Sequence, residues 1–143
     1  MSLKSKVQSP KSTAVVLFAH GSPVAEANEG VAALARRVAA SLDAGIAAEF
    51  VTAAFLESAQ PDLGAAIAEA DRRGLRRVVI MPYFLTLGLH LRRDLPRLVA
   101  QQRARFPRME ILVSESLEGY EGMAEAIASR VRQALNPDDP GLT

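Results

Sequence analysis

Four runs of consecutive apolar residues alternate along the chain with four stretches in which apolar residues recur every three or four positions. The first run, Thr13-Ala14-Val15-Val16-Leu17-Phe18-Ala19, stops at His20-Gly21-Ser22-Pro23. Such an unbroken, partly β-branched run predicts a strand covered on both faces. From about Ala25 to Asp43, Val31, Leu34, Ala35, Val38 and Leu42 share one helical face with Arg36 and Arg37 opposite, and Gly45 is the expected stop. Ile46 to Ala54 predicts a second strand, and Pro61 the start of a helix carrying Leu63, Ile67 and Ala70 up to Arg73-Gly74. Arg77 to Pro82 predicts the third strand, followed by a loop from Phe84 to Leu89 and a helix from about Leu91 to Arg105, with Asp94 and Pro96 serving its start. Met109 to Ser114 predicts the fourth strand, and Glu121 to Leu135 a last helix with Met123, Ala126, Ile127, Val131 and Leu135 on one face.

Strands that alternate with helices and are apolar on both sides predict an α/β fold with a parallel sheet. Right-handed crossovers favour a three-layer, doubly wound arrangement: a four-stranded core in order 2-1-3-4 with helices on both faces. The pattern predicts one domain over residues 13–135, with flexible polar tails at 1–12 and 136–143.

Composition narrows the chemistry. The 143 residues include no cysteine, so disulfides, thiolate ligands and a cysteine nucleophile are excluded. Transition-metal chemistry would need histidine and carboxylate ligands, and there are only two histidines. A net charge of +1 gives no global field favouring nucleic acid. No apolar run approaches the ~20 residues of a membrane span, and the polar start lacks the core of a secretory signal. A cytoplasmic protein without a membrane partner is the expectation.

Doubly wound sheets bind ligands outside the carboxyl ends of their strands, where the strand order reverses. Here that point lies between the first and third strands. His20 directly follows the first and His90 follows the third by a short loop, so two imidazoles 70 residues apart are expected to reach one crevice. The alternative is two unrelated capping or structural histidines. Glu57, after the second strand, lies at the same edge; it suits either that site or the amino end of the next helix. Arg92 and Arg93 gain nothing from a helix start, where the dipole opposes cations. They suit either ligand carboxylates or plain solvent. Arg72, Arg73, Arg76 and Arg77 flank the opposite edge and are assigned to solvent.

The segments Leu17-Phe18-Ala19-His20-Gly21-Ser22 with Asn28, Phe55-Leu56-Glu57 with Pro61, and Met81-Pro82-Tyr83-Phe84-Leu85 with Gly88, His90, Asp94 and Pro96 resemble the CbiX/SirB family, the short sirohydrochlorin chelatases. The resemblance runs from about residue 13 to 135. It implies a chelatase fold and insertion of cobalt(II) or iron(II) into sirohydrochlorin in cobalamin or siroheme synthesis. It implies His20 and His90 as metal ligands with Glu57 nearby, the metal being substrate and no organic cofactor being needed. It also implies a homodimer matching the two lobes of longer chelatases. Pro23 departs from an arginine common in the family, and Leu117-Glu118-Gly119-Tyr120 matches it only loosely.

On this reading two neutral imidazoles leave coordination positions open for pyrrole nitrogen, and Glu57 accepts a pyrrole proton or positions the ion. Arg92 and Arg93 orient the tetrapyrrole carboxylates at the rim, Gly88 belongs to the same substrate-binding loop, and Leu85, with Leu87 and Leu89, faces the ring or packs beneath its own loop. Since imidazole must be deprotonated to bind, activity is expected to fall below about pH 6.5, the ordinary imidazole value. The rival is a non-catalytic divalent-metal carrier or sensor using the same histidines. Hydrolysis is disfavoured by the lack of a Gly-x-Ser-x-Gly elbow, and dinucleotide binding by the lack of Gly-x-Gly-x-x-Gly.

Overall fold

A computed structural model describes residues 13–42 and 50–138. The elements run β1 (Thr13–Ala19), α1 (Ala25–Ser41), β2 (Val51–Phe55), α2 (Leu63–Arg72), β3 (Arg77–Pro82), α3 (Leu89–Arg105), β4 (Glu110–Val113) and α4 (Gly122–Leu135). All three strand pairings are parallel, in the order β2-β1-β3-β4. In the register, Ala19 lies opposite Phe55 and Phe18 opposite Pro82, so the three strands nearest the reversal point end almost level. Their following loops therefore leave from one sheet edge.

Period-two alternation sends the core to two sides. Ala14, Val16 and Phe18 of β1, with Val78 and Ile80 of β3, meet Ile67 and Ala70 of α2 and Leu95 and Val99 of α3. Leu17, Ala19, Ala53 and Phe55 face the other way, against Val31, Leu34 and Ala35 of α1. The β3–β4 half of that second face is poorly covered: Val79 and Met81 are half-buried, Leu112 is 41 % exposed, and α4 buries none of its residues. None of the described helices is long and apolar enough to cross a membrane.

Local chemistry moves several expected boundaries. The carboxylate of Asp62, not Pro61, starts α2, accepting the Ala65 N–H at 2.8 Å. Helix α3 begins at Leu89, because the Gly88 carbonyl already accepts the Arg92 N–H at 3.0 Å. His90 is therefore in the first helical turn, and Pro96 lies inside the helix instead of at its start. Lacking an N–H, Pro96 cannot close the usual bond to the Arg92 carbonyl. The expected Gly45 stop, the strand start at Ile46, the tail at 1–12 and the last five residues of the chain lie outside the described residues.

Candidate metal site at the carboxyl edge of the sheet

The parallel pairing of β1 and β2 continues past the strand ends. The Leu56 N–H donates to the Ala19 carbonyl at 2.9 Å and the Glu57 N–H to the His20 carbonyl at 3.0 Å. Gly21 then turns away with φ +92°, and a Cβ there would stand 1.8 Å from the Glu57 carbonyl oxygen. Only glycine permits both that conformation and that approach. Asn28, from the first turn of α1, clamps the same loop: its side chain accepts the Ser22 N–H at 2.9 Å and donates to the Ser22 carbonyl at 2.7 Å. Backbone and amide bonds thus set the result, His20 Nε2 3.4 Å from Glu57 Oε2, with both side chains about three-fifths exposed. Because Asp62 caps α2, the capping role considered for Glu57 is filled by another residue.

The β3 loop is anchored at its start, where the Tyr83 N–H donates to the Phe18 carbonyl at 2.7 Å and the Phe84 ring meets Phe18 edge-on at 6.2 Å. Beyond it Leu85 and Leu89 are 68 % and 69 % exposed, so neither packs beneath the loop. Gly88 caps α3 with φ −66° and has open space where a side chain would be. His90 and Arg93 are exposed, and Arg93 forms no ion pair among the described residues. Arg92 is engaged: its Nη2 lies 2.6 Å from Glu118 Oε1 and its Nε donates to the Leu87 carbonyl at 3.0 Å.

The fold thus puts His20, Glu57 and the His90 turn at one edge and brings the first two into contact. Among the described residues, no three His, Asp or Glu side chains gather closely enough to hold a metal ion. The four arginines at the opposite edge are held by local acids, Arg72 and Arg73 by Glu69, Arg76 by Asp71 and Arg77 by Glu110.

Sequence reasoning passed over an open cleft of about 1150 Å³ between the end of β3, Leu87 and Arg92 on one side and residues 114–121 on the other. It includes none of His20, Glu57 and His90. Its charged lining is Glu115, Glu118 and Glu121 against Arg92, a charge balance that repels a polycarboxylate. The histidine edge has the nitrogen donors and remains the chemical candidate. Glu118 was invisible in the sequence because its partner lies 26 residues away, with no periodicity to link them.

The CbiX family model matches residues 14–134. The chain is 27% identical over 145 residues to the sirohydrochlorin cobaltochelatase of Methanopyrus kandleri, covering 87% of this chain and 99% of that one. It is 27% identical over 120 residues to the sirohydrochlorin ferrochelatase of Priestia megaterium, covering 84% of this chain but only 44% of that longer protein. Among solved structures, a CbiX protein of Marinobacter aquaeolei, associated by name with cobalamin (vitamin B12) biosynthesis, superimposes with a TM-score of 0.76 at 27% identity over 87% of this chain and 96% of that one.

Proposed function

Because the chain belongs to the CbiX family, we propose that it inserts a divalent metal, cobalt(II) or iron(II), into sirohydrochlorin. The observation that carries this reading is the contact of His20 with Glu57 at the carboxyl edge, held by the backbone of two adjacent loops. Insertion exchanges two pyrrole N–H protons for bonds from the metal to the ring nitrogens. It needs an ion held loosely, a base nearby and a flat apolar seat.

His20 and His90 supply the neutral nitrogen ligands. A site with few protein ligands gives up its ion more readily than a closed tetrahedral one. Glu57 orients the His20 ring, as carboxylates commonly do for metal-bound histidines, and is the nearest group to accept a pyrrole proton. The macrocycle rests on the exposed Leu85 and Leu89, next to the vacant space at Gly88. Arg93 meets its carboxylates directly, whereas Arg92 would have to release Glu118 to do so. The sheet supplies only one lobe. The uncovered Leu112, Ile127 and Val131 face a second copy of the chain, consistent with relatives about twice this length.

An absorbance assay of sirohydrochlorin metalation with cobalt, iron and nickel tests the reading. Replacing either His20 or His90 with alanine is expected to lower the rate more than the ~10–100-fold typical of losing an outer-shell partner. Full activity in both variants would overturn the mechanism. Tight cobalt binding without faster metalation by the native protein would leave a metal carrier in its place.

A further inference from the structure

His90 lies between two points that are both tied to one distant carboxylate. Arg92 stands five positions after Leu87, and its Nε donates back to the Leu87 carbonyl at 3.0 Å, closing the turn that contains Gly88, Leu89, His90 and Leu91. The outer nitrogen of the same guanidinium meets Glu118 Oε1 at 2.6 Å, and that oxygen also stands 3.5 Å from the Leu87 amide nitrogen. Glu118 is itself held: its N–H donates to Ser116 Oγ at 3.3 Å, and the Tyr120 N–H to the Leu117 carbonyl at 3.0 Å. We propose that Glu118 is a positioning residue, which fixes the His90-bearing turn through Arg92 and so sets where that imidazole stands relative to His20.

The inference rests on His90 being a metal ligand. Its physical basis is the planar guanidinium, whose edges bond a carbonyl and a carboxylate at once in fixed directions. Without the carboxylate, Arg92 keeps one bond and regains rotational freedom. The turn at the open end of α3 has no other side-chain cap to hold it. An exposed ion pair adds little to global stability. Substituting Glu118 should therefore disturb this turn and spare the fold, a separation that makes the test clean.

The test uses the full chain with Glu118→Ala, Glu118→Asp, His90→Ala and the double variant Glu118→Ala/His90→Ala. With only two histidines present, imidazole NMR reports on each separately. In E118A the His90 signals are expected to shift and narrow from increased motion while those of His20 stay in place, with E118D partly restoring them. Cobalt(II) titration should show affinity falling by roughly tenfold in E118A, within the range for outer-shell partners. That loss should vanish in the H90A background, because the effect passes through His90. Unmoved His90 signals in E118A, or an equal loss of affinity with His90 absent, would overturn the proposal. Native-like cobalt binding by H90A would instead overturn the histidine ligation, while the metal-free NMR result still reports whether Glu118 holds the turn.

Discussion

At the scale of single residues, Gly21 carries more of the site than either ligand candidate beside it. It lets the His20 loop run against the Glu57 backbone, where any side chain would overlap the Glu57 carbonyl. Gly21→Ala combines that overlap with a left-handed conformation costing about 1–2 kcal/mol for a residue with a Cβ. The variant is expected to lose at least that much stability in urea unfolding and to lose cobalt affinity, since His20 and Glu57 no longer meet. Native cobalt affinity in G21A would show that the 3.4 Å contact does not depend on the turn. Asn28 acts similarly at a distance of six residues, locking Ser22 from both its N–H and its carbonyl.

At the scale of elements, each helix that borders the site is started or steadied by a particular polar contact. Asp62 starts α2, freeing Glu57 for the edge. At the far end of α2, hydrogen bonds from Arg72 and then Arg73 hold the Glu69 carboxyl below the usual glutamate range. A depressed carboxyl binds fewer protons folded than unfolded, so its stabilisation is present above the ordinary glutamate value and fades as pH falls through the lowered one. Glu69→Gln should therefore lower the melting temperature slightly at neutral pH, with the difference shrinking in acid. An equal difference at pH 7 and pH 2.5 would show that these ion pairs contribute nothing through charge.

At the scale of the whole molecule, cover is uneven. One face of the sheet is sealed by α2 and α3, and the other by α1 over β1 and β2. The remaining part leaves Leu112 exposed, and α4 displays Ile127 at 60 % and Val131 at 52 % exposure. Large apolar patches left open are uncommon on monomers, and Leu112, Ile127 and Val131 are the exposed side chains that a second copy would cover. With a second copy as its cover, Ile127→Glu should convert a dimer to a monomer in light scattering. A monomeric native protein at tens of micromolar would remove the second copy from the proposal.

The order of strands and helices and the burial of the sheet were legible from hydrophobic periodicity, because each side chain's partition between core and water repeats with the local geometry. The placement of His20, Glu57 and His90 at the carboxyl edge followed from topology, since parallel strands must deliver their ends to one side. The contact of His20 with Glu57 was decided only in three dimensions, by backbone bonds between loops 37 residues apart in sequence. The same holds for the Arg92–Glu118 pair, the early start of α3 and the unburied surface of α4. Such features depend on which segments the folded sheet sets side by side, and hydrogen bonds between distant segments leave no repeating trace along the chain.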